Sequence, residues 1–271
     1  MSKRIAFIGG GNMASALIGG LIGQGYAPAH IDVVEPYVEA QEKLRKNYDI
    51  VVHAQPAMFL AQAELVIWAV KPQTFKDAAM QVRFHTKNAL HLSVAAGIRS
   101  DSIAHWLGTE RVVRAMPNTP ALIGKGVTGL FARPAATSPD REWVAEVIAT
   151  TGELFWLDAE EQLDAVTALS GSGPAYMFYF MEAMTTAGAE MGLTREQAYQ
   201  LAVSTFIGAG ELARSSGEPP EILRQRVTSK GGTTYAAITS MEDDDLKARF
   251  VRAMHAARRR AEELGDEFGG A

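Results

Sequence analysis

The first fourteen residues constrain the fold more than any other stretch of this chain. Lys3-Arg-Ile-Ala-Phe-Ile-Gly9-Gly10-Gly11-Asn12-Met13-Ala14 is a run of strand formers that ends in three glycines and passes straight into helix-forming sequence. Ile5, Phe7 and Ile8 suit a buried strand. Gly9 permits a tight turn where a Cβ would clash. Gly11 lets backbone approach a pyrophosphate, and Ala14, where a third glycine often stands, lets the next helix pack closely on the strand. A helix opening near Asn12 would offer unpaired N–H groups and the positive end of its dipole to phosphate oxygens. A G-x-G-x-x-A match alone is weak; strand before and helix after supply the context that a dinucleotide site needs.

The rest of the first half repeats the alternation. Residues 31–35, 50–52, 65–70, 90–95 and 111–115 read as strands, with crossover helices over 38–47, 72–82 and 100–107. Leu65-Val-Ile-Trp-Ala-Val70 is apolar throughout, as expected of a parallel strand covered on both faces. Residues 127–131 and 154–157 read as late strands that extend the sheet at one edge, around a helix over 139–150. This rhythm predicts a Rossmann-type doubly wound parallel sheet over residues 1–158. Beyond Asp158 no strand pattern appears. Helices are expected over 174–191, over 195–214 after a Thr194–Gln197 capping box, over 219–227, from Thr233, and over 243–264. Residues 159–271 therefore form a second, all-helical domain. Within it, 175–181 is apolar all round, which calls for burial on every side: inside the core of one chain, or between two subunits.

Composition narrows the function. A net charge of −5 gives no footprint for nucleic acid. With no cysteine, there is no disulfide, no thiolate nucleophile and no cysteine-bound metal. The six histidines are scattered and never four residues apart, so no histidine-rich metal centre is expected. No run of about eighteen apolar residues suggests a membrane span, and no signal-peptide pattern is visible, which predicts a cytoplasmic protein.

Ligands of open α/β sheets bind beyond the carboxyl ends of the strands. Three loops there are built from small residues and prolines: Ala69-Val70-Lys71-Pro72, Ser93-Val-Ala95-Ala96-Gly97 and Met116-Pro-Asn118-Thr-Pro120. Stiff turns with little side-chain bulk suit a flat nicotinamide and its ribose. Lys71 is either a phosphate or ribose contact or a solvated lysine. Asn118, between two prolines, reads as a turn former. Glu35 ends the second strand, where an acidic side chain accepts hydrogen bonds from the adenosine ribose and repels a 2′-phosphate. The residues alone thus lean to NADH over NADPH, unless Lys43, Arg45 or Lys46 offsets the charge.

Two glycine-rich segments interrupt the helical half. One is Ser170-Gly-Ser-Gly-Pro-Ala-Tyr176; the other is Ser229-Lys230-Gly231-Gly232-Thr233-Thr234. In the second, successive backbone N–H groups at a helix start form a nest for a carboxylate, with hydroxyls from Ser229 and Thr234 nearby.

Taken in order, Gly9-Gly-Gly-Asn-Met13, Val70-Lys-Pro72, Ala95-Ala-Gly97, Met116-Pro-Asn-Thr-Pro120, Ser170-to-Tyr176 and Gly231-Gly-Thr-Thr234 resemble pyrroline-5-carboxylate reductase across essentially the whole chain. The resemblance implies hydride transfer from NAD(P)H to the C=N bond of 1-pyrroline-5-carboxylate, giving L-proline. It implies a helical dimerisation domain, a homodimer with an active site completed by the partner's helices, and in some members rings of dimers. Carried over, Gly9, Gly10, Gly11, Asn12, Met13 and Ala14 would hold the pyrophosphate. Ala69, Val70, Lys71, Pro72, Ala95, Ala96 and Gly97 would line the ribose and nicotinamide. Ser229, Gly231, Gly232 and Thr233 would bind the substrate carboxylate, with the Thr234 hydroxyl near the ring nitrogen. Two positions depart from the family: Lys230 stands where proline is common, and Gly217 where some members carry a glutamate, with Glu218 beside it. Family members often use NADPH or both cofactors, in tension with Glu35. A reductase of β-hydroxy acids and a non-catalytic dinucleotide sensor are the alternatives. The first needs a lysine acid between the domains, for which Lys125 and Lys230 are poorly placed.

Overall fold

A computed structural model describes residues 3–269. Eight strands form one sheet: β1 (Ile5–Ile8), β2 (Ile31–Val34), β3 (Val51–His53), β4 (Leu65–Trp68), β5 (Leu90–Ser93), β6 (Val112–Met116), β7 (Gly126–Ala132) and β8 (Gly152–Trp156). Their order is β3-β2-β1-β4-β5-β6-β7-β8. The first six are parallel; β7 runs antiparallel to β6, and β8 parallel to β7. The expected doubly wound sheet with two added edge strands is therefore present.

The connecting helices are α1 (Asn12–Gly23), α2 (Val38–Tyr48), α3 (Pro72–Val82), α4 (Ser100–Leu107) and α5 (Ser138–Ala149). Because strand side chains alternate, β1, β2, β4 and β6 each feed two cores. Phe7, Ile67 and Leu92 pack with Leu17 and Ile18 of α1 and Val144 and Ile148 of α5. Ile8, Val66 and Trp68 pack with Phe75 and Val82 of α3 and Trp106 of α4. Trp68 stacks on Phe75 with ring centroids 4.7 Å apart. The α5 start carries a capping box between Thr137 and Asp140 that the sequence reading did not pick out. Asp140 also takes both ends of the Arg111 fork, at 2.9 and 2.6 Å. Those hydrogen bonds hold its carboxyl down to about 2.

Contacts divide the chain into two compact units. One comprises residues up to Ser172 together with those from Ala257 on; the other is Gly173–Ala256. This break lies beyond the Asp158 expected from sequence. Residues 159–172 form α6 (Gln162–Val166) and a π turn, Thr167–Gly171, closed by the Ser172 N–H donating to Thr167 O at 2.9 Å. Ion pairs attach this segment to the sheet. Arg99 pairs with Asp164 at 2.8 Å and buried Arg114 of β6 with Glu160 at 2.6 Å. Glu160 also accepts the Ser100 backbone N–H at the α4 start, at 2.6 Å.

The second unit holds α7 (Gly173–Glu190), α8 (Arg195–Ser216), α9 (Pro220–Arg226), α10 (Thr233–Asp243) and the first part of α11 (Leu246–Gly269). Thr194 and Gln197 make the expected capping box: the Thr194 Oγ1 accepts the Gln197 N–H and the Gln197 Oε1 accepts the Thr194 N–H. The helix expected from 243 starts instead at Leu246, because Asp245 adopts a left-handed φ of +55° and breaks the chain between α10 and α11. Helix α7 is not the core of a single chain. Tyr176 and Phe180 pack edge-on against Phe250, but Phe178 and Tyr179 are 63 % and 70 % exposed. Of the two readings of 175–181, burial within one chain fails. Among the described residues no helix is long and apolar enough to cross a membrane.

Candidate active site

The glycine turn is shaped by three strand ends. The Gly9 N–H donates to Val34 O at 2.9 Å, and the Ala69 N–H donates to Ile8 O at 2.8 Å. Gly9 has φ +94°, and a Cβ there would lie 2.7 Å from Ala69 O. Neither the dihedral nor the space admits a side chain. Gly10 is closed as well: a Cβ would lie 2.5 Å from Leu44 Cδ1 and 3.2 Å from Glu35 Oε2. Gly11 differs, since a Cβ there would meet nothing within 4 Å. It is the N-cap of α1, and no side chain caps that helix start. Backbone N–H groups and the helix dipole therefore face open space, a ready anion site. Ala14 is fully buried against the sheet, Met13 half-buried and Asn12 exposed.

The turn opens on a cleft of about 910 Å³. Its walls bring together Gly9, Gly10, Gly11, Glu35, Ala69, Val70 and Lys71 from the sequence prediction. Pro72, which opens α3, and Ala95, Ala96 and Gly97 are not part of that wall. Gly97 has φ +70°, and a Cβ there would lie 2.8 Å from Leu264 Cβ, so this glycine lets α11 pack against the loop. Asn118 is a structural tie: its Nδ2 donates to Ser170 O at 3.3 Å, and its Oδ1 accepts the Val127 N–H at 3.0 Å.

The cleft also contains Tyr37, Thr74, Asp77 and Gln81, which the sequence reading did not single out. Lys71, Thr74, Ala78 and Gln81 recur at steps of three and four residues, one face of α3, so helical periodicity carried that signal.

Glu35 is only 6 % exposed. Its Oε2 accepts the Gly10 N–H at 2.8 Å and its Oε1 the Tyr37 N–H at 2.9 Å. Arg45 is engaged elsewhere, donating to Val52 O at 2.6 Å and to Gln41 Oε1 at 3.1 Å.

The 229–234 loop lies in the helical unit. The Gly232 N–H donates to Ser229 O at 3.0 Å, closing a turn around Gly231, whose φ is +79°. Gly232 is the N-cap of α10 and has no side-chain cap. A Cβ on it would lie 2.8 Å from Ser229 Oγ. Ser229, Gly231, Thr233 and Thr234 are exposed, so the first turn of α10 presents its N–H groups and hydroxyls to solvent. Gly217 ends α8 with φ +65°, a conformation a glutamate would adopt only under strain. Glu218 is held in an ion pair with Arg226.

Residues 160–264 match the family model for pyrroline-5-carboxylate reductase dimerisation, and residues 4–97 that for NADP oxidoreductase, coenzyme F420-dependent. The chain is 44 % identical over 270 residues to the pyrroline-5-carboxylate reductase of Pseudomonas aeruginosa, covering 99 % of both chains. It belongs to the pyrroline-5-carboxylate reductase family. Solved structures agree. A pyrroline-5-carboxylate reductase from Coxiella burnetii superposes with a TM-score of 0.90 at 36 % identity, covering 97 % of this chain and 99 % of that one. The Plasmodium falciparum pyrroline carboxylate reductase, solved with NADP bound, gives 0.88 at 26 %, covering 97 % and 98 %. The helical half of the chain thus carries the family's dimerisation domain.

Proposed function

We propose that this chain is an NAD(P)H-dependent pyrroline-5-carboxylate reductase that reduces the C=N bond of 1-pyrroline-5-carboxylate to give L-proline. The observation that carries the reading is the open backbone at Gly11, at the head of an uncapped helix, in a chain of this family over its full length. The residues suit a dinucleotide. Gly9 and Gly10 leave no room for side chains that would fill the turn, Gly11 exposes the helix N–H groups, and Glu35 retains free lone pairs for ribose hydroxyls. In this reading residues 1–158 serve the cofactor, with Gly9–Ala14 at the pyrophosphate and Ala69–Pro72 and Ala95–Gly97 along the ribose and nicotinamide. Residues 159–271 serve dimerisation and the substrate.

The cofactor, when bound, supplies the hydride. Ser229, Gly231, Gly232 and Thr233 hold the substrate carboxylate on the α10 start. Thr234 offers its hydroxyl to the ring nitrogen, which receives the C=N electron pair as the carbon takes hydride. The imine protonates readily and is then a good electrophile, so the protein's contribution is position and exclusion of water rather than a strong acid. Exposed Phe178 and Tyr179 on α7 support a homodimer through the helical domain, and a ring of such dimers belongs to the same proposal, as does a cytoplasmic location. Adding 1-pyrroline-5-carboxylate to the protein with NADH or NADPH should discharge the 340 nm absorbance and yield proline. No oxidation of either cofactor would refute the reading, and a β-hydroxy acid reductase or a sensor would give that result.

A further inference from the structure

We propose that Glu35 is a fixed filter at the ribose 2′ position that makes NADH, not NADPH, the coenzyme of this chain; the inference rests on the reductase reading above. An acidic residue at the end of β2 is a weak predictor when it is exposed, because its side chain can turn into solvent and make way for a phosphate. Glu35 has no such freedom. Both carboxylate oxygens hold backbone N–H groups, Gly10 at 2.8 Å and Tyr37 at 2.9 Å. Its own N–H donates to His53 O at 2.9 Å, and its own carbonyl accepts the Gln41 Nε2 at 2.7 Å. Turning the carboxylate away would strand two N–H groups beneath a side chain that is only 6 % exposed.

Among the described residues the cleft wall carries a single cation, Lys71. The charged residues on the wall are Glu35, Asp77 and Lys71. Lys71 follows β4, which is separated from β2 by β1, so it enters the cleft from a different strand end than Glu35. Arg45, the nearest guanidinium on α2, is spent on Val52 O and Gln41. Lys43 and Lys46 are exposed and absent from the wall. A carboxylate has about four acceptor positions, so two remain for the 2′- and 3′-hydroxyls of NADH. A 2′-phosphate meets the same oxygens as a like charge at short range, a penalty on the order of a hundredfold in affinity.

The test is direct binding, followed by quenching of protein fluorescence as NADH or NADPH is titrated in, with turnover measured alongside. NADH should bind at least tenfold more tightly than NADPH. In Glu35→Gln, NADPH affinity should rise until the two cofactors lie within about threefold. Equal affinities in the wild type, or tighter NADPH, overturn the filter while leaving the reductase intact if pyrroline-5-carboxylate is still reduced. Binding of neither cofactor overturns both readings. Should Glu35→Gln fail to fold, the wild-type ratio alone decides.

Discussion

Trp68 donates its indole N–H to Nδ1 of His91 across 3.0 Å, inside the core between β4 and β5. The other ring nitrogen of His91 faces Thr86 O at 3.3 Å. The pair is satisfied only by a neutral imidazole that carries its proton on Nε2. Protonating Nδ1 would set two N–H groups against each other. Burial accordingly lowers the His91 pKa to about 4. A depressed histidine pKa contributes stability above the unfolded value of about 6.5, and that contribution is lost as pH falls toward 4. The unfolding free energy from urea melts should decline between pH 6.5 and 4 by on the order of 3 kcal/mol in all, and His91→Phe should flatten that window. Asp140, held at about 2, adds its own loss only below about 3.8. An unchanged slope in His91→Phe would assign the effect elsewhere.

Gly9 and Gly11 should respond oppositely to the same methyl group. Gly9→Ala forces a Cβ to within 2.7 Å of Ala69 O at a φ of +94°, and should cost 2 kcal/mol or more, by rough analogy with strained backbone sites. Gly11→Ala meets no neighbour and should keep its melting temperature within a few degrees. Its affinity for NADH should nonetheless fall tenfold or more, because the methyl occupies the approach to the α1 N–H groups. Tight binding by Gly11→Ala would remove the pyrophosphate from this turn.

Glu160 pairs with buried Arg114 in a salt bridge at 2.6 Å. Glu160→Ala should destabilise by about 3–5 kcal/mol, since it leaves a charge buried without its partner. Combining it with Arg114→Met should restore much of the loss. If the double variant is as unstable as the single, the Ser100 N–H at the α4 start matters more than the ion pair.

Thr234 is exposed, so Thr234→Ala should fold as the parent does. Loss of one or two hydrogen bonds to the reacting ring should lower kcat/KM roughly tenfold to a hundredfold. Steady-state kinetics at saturating NADH would show it, and unchanged values would take Thr234 out of the site.

Phe178 and Tyr179 stand exposed on a helix with little polar character. Replacing both with glutamate should reduce the mass in light scattering to that of one chain. A dimer that survives the double substitution would place the interface on another face.

Much of this fold is legible in the sequence because buried parallel strands leave unbroken apolar runs, as in Leu65–Trp68, between glycines and prolines. The glycine turn and Glu35 are legible for the same local reason: their spacing is set by one strand, one turn and one helix. What escaped depends on partners far along the chain. The segment 159–172 clusters with the sheet through Arg99–Asp164 and Arg114–Glu160, pairs that no local pattern announces, while the family's dimerisation model begins at residue 160. Gly97 reads as part of a cofactor loop, and only the fold shows that its missing side chain also makes room for Leu264. The break before α11 falls at an aspartate in otherwise helix-forming sequence, and only its left-handed φ reveals it.

The sheet unit is assembled from two separated stretches of chain, with Gly173–Ala256 inserted between them. Leu264 packs on Gly97, Gly265 lies against the Arg99 guanidinium, and Phe268 rests on the core beside α4. During synthesis this side of the nucleotide fold must wait, bare, until the whole helical insert has emerged from the ribosome. Apolar surface left uncovered for that interval is a hazard for aggregation, and it makes the closing turns of α11 the latch that ends the exposure.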